Sequence, residues 1–274
     1  MAEAGRLLAS RYWLERRITA GGIAEVWRAS DLATGRPVAM RLLRTARAAR
    51  AERFLAAARR AAQVFHPGIL RVVDYGQVGP EGPLFLVTEL VGASSLATVM
   101  RAGSLDPAWV LEIVCQVASA LDAAHSAGLV HQDVNPGNLL LVPGGAVKLT
   151  GLGLAQGAGS SGSDLSALGL VAWGCLAGSP PVPGAAPQLA SGQGSWPLPP
   201  LPATVPAGVA GLAADLIAAD PAARPVSIAE VVTRCRALMA APMRVAQPRQ
   251  AGCSHGTLLL DPPTQRSREL TRTP

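Results

Sequence analysis

The stretch Val130-His131-Gln132-Asp133-Val134-Asn135-Pro136-Gly137-Asn138-Leu139 decides how this chain is read. It is polar and broken by Pro-Gly, so it reads as a loop. Upstream, Asp106-Pro107 is an N-cap followed by proline at the first helical position. Trp109, Ile113, Gln116, Val117, Ala120 and Leu121 then recur at helical spacing, which predicts a helix to about Ala127. Downstream, residues 139–142 and 146–150 flank Pro143-Gly144-Gly145 and predict a small hairpin. The loop therefore joins a long helix to a hairpin. His131, Asp133 and Asn138 are its chemistry-bearing groups. Asp133 and Asn138 can equally hydrogen-bond the loop backbone and hold its shape.

Outward from this loop the chain divides in two. Residues 12–43 turn like a strand meander, with strands at 12–18, 24–29 and 37–43. Residues 46–64 are rich in Ala and Arg, without Gly or Pro, and predict a helix that His66-Pro67-Gly68 ends. Residues 69–75 and 84–90 read as two more strands. Near Gly92 the character changes from strand to helix. Helices are predicted at 164–176, 209–218 and 227–238, with an irregular Pro- and Gly-rich stretch at 178–208. The fold class is therefore α+β and bilobal. The N-lobe (1–91) is a small five-stranded antiparallel sheet with one helix, and the C-lobe (92–239) is mostly helical. The hinge falls near residues 89–95, and residues 240–274 read as a disordered polar tail.

Composition narrows the function classes. The 274 residues are 49% hydrophobic and 15% charged, enough apolar matter for a substantial core. The net charge of +6 is spread, with a denser patch between Arg41 and Arg60. No aromatic residues interleave with that patch, so it reads as a solvated helix face and no nucleic-acid partner is expected. Cys115, Cys175, Cys235 and Cys253 match no zinc or C-x-x-C spacing, which fits a reducing cytoplasm. The N-terminus lacks an apolar core of signal-peptide length. No uninterrupted apolar run of spanning length occurs, so no membrane span is expected.

The loop resembles the H-R-D-x-x-x-x-N catalytic loop of protein kinases, with His131, Asp133 and Asn138 in register. Other motifs follow in the family's order. Residues 18–27, Ile-Thr-Ala-Gly-Gly-Ile-Ala-Glu-Val-Trp, resemble the Gly-rich loop, keeping Gly21 in register with Gly22 beside it. Val38-Ala39-Met40-Arg41 resembles V-A-I-K, and Thr88 aligns with the gatekeeper behind the nucleotide pocket. Residues 163–169, Ser-Asp-Leu-Ser-Ala-Leu-Gly, resemble the opening of the central C-lobe helix. There the resemblance implies that Asp164 caps the helix and braces the loop. Asp220-Pro-Ala-Ala-Arg224-Pro225 resembles the late D-P-x-x-R-P turn. His66-Pro67 and Leu129-Val130-His131 are in the style of bacterial serine/threonine kinases.

The departures from the pattern decide the expected activity. Thr19 and Ala24 replace two of the three glycines that let backbone amides approach phosphate. Arg41 replaces the phosphate-contacting Lys, which is not a conservative change at a tight site. Ala57 stands where the Glu partner of that Lys is expected. Glu52 lies five residues earlier, roughly 140° round the helix. Gln132 and Asn135 replace an Arg and a Lys in the catalytic loop. Gly151-Leu152-Gly153 stands where D-F-G is expected, so the magnesium-binding Asp is replaced by Gly151 and no metal ligand set remains. Ten residues separate Gly153 from Asp164, so the activation segment is truncated and its A-P-E is missing. Arg224 then needs a partner other than that Glu.

The resemblance thus implies a pseudokinase: a protein-binding, regulatory module in bacterial Ser/Thr phospho-signalling. The alternative is a weakly active Ser/Thr kinase transferring phosphate from ATP. No cofactor is expected, with ATP and magnesium confined to the alternative. The resemblance extends to a degenerate kinase-like module that accompanies a peptidoglycan lipid flippase and docks a forkhead-associated protein. It implies a cell-wall link, a phosphothreonine-reading partner and an upstream Ser/Thr kinase. Thr257, Thr264, Thr271 and Thr273 in the basic tail are the candidate phosphosites.

Overall fold

The computed structural model describes residues 3–20, 24–43, 48–79, 81–152, 161–179 and 198–241. The first lobe is an antiparallel sheet of β1 (Leu7–Leu8), β2 (Tyr12–Ala20), β3 (Ala24–Asp31), β4 (Arg36–Leu43), β5 (Val72–Gln77) and β6 (Leu84–Glu89). Its strand order is β1-β2-β3-β4-β6-β5. The sequence predicts five strands and the sheet has six. The additional β1 pairs Leu7 with Trp13 and Leu8 with Tyr12, and two residues are too few for an alternation to show.

Alternation sets the two faces of this sheet. Trp27, Ala29 and Asp31 of β3 and Val38, Met40 and Leu42 of β4 are buried, with intervening residues less so. The apolar members join Tyr12, Leu14, Phe85 and Val87 in one core. The buried Asp31 carboxylate is satisfied by Arg11, whose Nε and Nη2 donate to Oδ1 at 2.7 Å and to Oδ2 at 2.8 Å. On the other face, α1 (Ala48–Ala61) lays Ala51, Phe54 and Ala58 over Leu43, Leu84 and Leu86. Strand β6 is therefore buried from both sides.

The second lobe contains, among the described residues, α2 (Leu96–Val99), α3 (Pro107–Ser126), α4 (Ser161–Ala177), α5 (Ala207–Leu216) and α6 (Ile228–Ala240). Helix α3 begins as its sequence predicts: the Asp106 carboxylate accepts from the Ala108 and Trp109 amides. Among the described residues α3 is the one helix long and apolar enough to cross a membrane by length and composition. Here nine of its residues are buried in the helical core, against α4 and α6. The predicted hairpin is β8 (Leu139–Leu141) and β9 (Val147–Leu149), and β7 (Ser94–Ser95) extends it to three strands.

Three contacts set the lobes against each other. The Leu70 amide donates to the Leu149 carbonyl at 2.9 Å, and the Leu149 amide to the Gly68 carbonyl at 2.8 Å. Lys148 on β9 donates to the Glu89 carboxylate at the end of β6, at 2.8 Å. The cleft lies between these elements.

Helix α4 reaches α5 only because residue 169 is glycine. A Cβ there would stand 2.6 Å from both Leu216 Cβ and Ile217 Cγ2 and 3.1 Å from the Leu216 carbonyl carbon. Ala is worth nearly 1 kcal/mol over Gly in a helix interior, but overpacking against atoms this close to the backbone costs about 1–3 kcal/mol. Gly169→Ala is expected to lower the thermal midpoint despite its helix propensity. An unchanged or raised midpoint in a melting scan would contradict this packing.

Candidate functional site

The loop quoted at the outset is shaped by one buried carboxylate, Asp164 of α4. Its Oδ2 accepts from the His131 amide at 2.8 Å and from His125 Nε2 at 2.8 Å, and its Oδ1 accepts from the Gln132 amide at 2.7 Å. The expected helix cap needs correction: α4 starts at Ser161, so Asp164 lies inside its first turn and turns toward the loop instead. The expected brace is present. Gln132 sits at φ +64°, a left-handed conformation that costs a side-chain-bearing residue about 1 kcal/mol. The paired bonds from Asp164 to residues 131 and 132 hold it there. His125, at the end of α3, is a member that the sequence reading does not single out.

His131 is fully buried. Its Nε2 lies 3.0 Å from the Thr150 carbonyl, and its Nδ1 lies 3.2 Å from the Asp133 amide. A carbonyl can only accept and an amide N–H only donate, so the ring is neutral with its proton on Nε2. Burial pushes its pKa below the ordinary 6.5, in keeping with that form. The Thr150 amide in turn donates to the Asn138 carbonyl at 2.9 Å. His131 is thus a tie between the loop and the strand leading to Gly151.

Asp133 and Asn138 meet as their register suggests. Asn138 Nδ2 donates to Asp133 Oδ2 at 2.9 Å and to the Asp133 carbonyl at 2.9 Å. Asn135, which the sequence shows only as a substitution, completes the group. Its Nδ2 donates to Asp133 Oδ1 at 2.8 Å and to the Asp133 carbonyl at 3.0 Å, while its Oδ1 accepts from the Gly137 amide at 2.9 Å. Both oxygens of Asp133 therefore already accept from neutral amides.

Gly151 lies beside them at φ +88°, and a Cβ placed on it would stand 3.5 Å from Cγ, Nδ2 and Oδ1 of Asn138. A side chain at 151 would sit next to the Asn138 amide, and none is there. Among the described residues no three or more His, Cys, Asp and Glu come together as a cation site. Magnesium is usually held by one or two carboxylates plus phosphate oxygens. Asp133 and the neutral Asn138, with no carboxylate from residue 151, are a poor fit to that need.

Arg41, on β4 between Val26 and Leu86, points into the cleft, which Thr19 and the buried gatekeeper-position Thr88 also line. Burial pushes the Arg41 guanidinium below its ordinary pKa, and the Asp133 charge works in the opposite direction. The cation of β4 thus lies within electrostatic reach of the loop carboxylate. Ile18, Val26 and Ala39 on one side and Leu140 on the other give the cleft apolar walls, with Glu89 and Thr150 also lining it. It encloses about 160 Å³, below the roughly 300 Å³ at the lower end for small-molecule sites. Ala57 brings no charge toward Arg41, and Glu52 is exposed on α1.

Other predicted residues lie elsewhere. Arg224 is buried, and among its contacts Nε and Nη2 donate to the carbonyls of Ala218 at 2.7 Å and Ala219 at 3.4 Å. Gly21, Gly22, the segment 153–160 and Thr257, Thr264, Thr271 and Thr273 lie outside the described residues.

Comparison with known proteins identifies the family. A family model described as the protein kinase domain matches residues 12–173. The serine/threonine-protein kinase PknA of Mycobacterium tuberculosis (strain H37Rv) is 36% identical over 255 residues, covering 80% of this chain and 59% of the relative. A probable serine/threonine-protein kinase of Corynebacterium efficiens, CE0033, is 36% identical over 166 residues, 58% of this chain and 25% of that protein. One of Streptomyces coelicolor, SCO3848, is 37% identical over 171 residues, 60% and 25% of the two chains. The chain thus spans less than two thirds of each of these relatives.

Two outcomes follow for stability. Asp164→Ala would leave the donors of His131, Gln132 and His125 without their acceptor, and is expected to cost about 3–5 kcal/mol in denaturant unfolding. A loss below 1 kcal/mol would contradict the brace. His131 and His66 are both held below their ordinary 6.5 by burial. The unfolded chain therefore binds protons that the folded one refuses, and stability should fall as pH drops from about 6.5 toward 5. His131→Asn, which can keep one donor and one acceptor, is expected to flatten that slope. An unchanged slope would contradict a neutral His131.

Proposed function

This chain belongs to the protein kinase family and is homologous to bacterial serine/threonine kinases, and from that premise we propose that it is a pseudokinase that works by binding. Gly151 carries the proposal. Phosphoryl transfer depends on positioning and on metal ions that neutralise the phosphates, and the residue beside Asn138 that would ligate the metal has no side chain. Three further observations support it. Asp133 Oδ1 is engaged by Asn135, which stands where the resemblance expects a Lys. Arg41, permanently charged, lies within electrostatic reach of the same carboxylate and lacks a carboxylate partner at Ala57. The cleft is small for a nucleotide. Restoring a carboxylate at 151 would also meet a cost, because φ +88° disfavours any side chain.

On this reading the chain is a protein-binding, regulatory module of Ser/Thr phospho-signalling, linked to the cell wall. Its partners are a phosphothreonine-reading forkhead-associated protein and an upstream kinase acting on the tail. A second reading, a weakly active Ser/Thr kinase, is favoured by the exposed Asp133, which retains its register and its contact with Asn138. There Asp133 would accept the proton of a substrate hydroxyl.

Thermal melts of the full chain with ATP, with and without magnesium, separate the two. The pseudokinase reading expects magnesium to add nothing to any shift caused by ATP. A magnesium-dependent stabilisation that grows with ATP as binding linkage requires would overturn it. So would transfer of labelled phosphate that disappears in Asp133→Ala.

A further inference from the structure

A second groove of about 410 Å³ lies beside the hinge, and Glu89 is the residue its lining shares with the cleft. Its outstanding feature is Phe65, 73% exposed just beyond α1. The other two phenylalanines, Phe54 and Phe85, are core residues. An exposed ring over an apolar floor of Val64, Pro67 and Ile69 is the kind of patch that marks an interaction site. The guanidinium of Arg71 lies 5.5 Å from the Phe65 ring centroid, which holds the ring at the groove wall.

The groove is preformed. His66 Nδ1 accepts from the Gly68 amide at 3.0 Å, and His66 Nε2 lies 3.2 Å from Ser119 Oγ on α3. Ile69 bridges to Leu149 of β9. Burial keeps the His66 ring neutral at ordinary pH. The charges facing the groove are then Arg71, Lys148 and Glu89, and the Glu89 carboxylate already accepts from Lys148 at 2.8 Å and from the Arg71 amide at 3.0 Å. Arg59 and Arg60, exposed in the last turn of α1, lie a few residues before Phe65 in the chain. The chain's own tail, 242–274, carries five arginines against Asp261 and Glu269, a net charge of the same sign as these arginines.

We propose that this groove docks an acidic segment of a partner protein, with an aliphatic side chain stacked on Phe65 and flanking carboxylates meeting Arg71 and the α1 arginines. Apolar contact supplies the anchor, and the cations select the sign of the partner and make binding salt-dependent. The proposal is independent of whether the cleft is active.

The test selects a randomised peptide library on the full chain and titrates the enriched, fluorescently labelled peptides by anisotropy. The selected sequences are expected to place Asp or Glu around an aliphatic residue. Phe65→Ala and Arg71→Glu should each weaken them about tenfold or more, Arg71→Lys much less. Both side chains are exposed, so the variants should melt like the parent. Three outcomes overturn the proposal: enrichment of no acidic motif, selected peptides that bind the variants like the parent, or Phe65-dependent capture by phosphatidylglycerol vesicles with no peptide retained.

Discussion

The Asp164 carboxylate is the constraint on which the rest of the site depends. It is fully buried and meets three donors from two directions: the end of α3 through His125, and the loop through the amides of residues 131 and 132. A buried carboxylate is tolerable only when so satisfied. From it the order passes to His131, then to the Thr150 carbonyl, then to Asn138 and Asp133. Each link is a hydrogen bond that stabilises the fold whether or not any substrate is present. The loop can thus hold its His, Asp and Asn in place for structural reasons, with no side chain at residue 151. This is the physical sense in which a fold and its chemistry come apart.

The electrostatics of the cleft point the same way. A site built for a metal-bound triphosphate needs free carboxylate oxygens and glycine-lined approaches. Here two neutral amides donate to the Asp133 carboxylate, a guanidinium on β4 lies within electrostatic reach of it, and Thr19 stands where a glycine is expected. Meanwhile the bonds of Leu70, Leu149 and Lys148 across the lobes give a stable body on which a binding surface can be displayed. The groove around Phe65 is built on those same elements.

Much of this was legible in the residues. The Asp106-Pro107 start of α3, the alternation on β3 and β4, and the register of His131, Asp133 and Asn138 are local patterns, and local patterns survive the absence of coordinates. The strands β1 and β7 escaped because two residues carry no period. His125, Asn135 and the Lys148–Glu89 pair escaped for a different reason. Their roles rest on which side chains meet across 39 or 59 residues of sequence, or on which way a short amide turns, and no spacing rule encodes that. Asp164 shows the same limit from the other side. An acidic residue near a helix start signals a cap, but the buried amides of the loop were the better partners. Likewise Arg224 bonds carbonyls just before its own turn, contacts invisible to a motif that names a distant Glu. The exposure of Phe65 could not be read from a helix-ending His-Pro-Gly.

The central claim is that residues 138 and 151 cannot hold the cation that makes ATP reactive. A crystal structure of the full chain grown with magnesium and a non-hydrolysable ATP analogue tests it most directly. The account predicts that no metal lies between Asn138 and Gly151. An ordered triphosphate bridged by magnesium to Asn138 would contradict it.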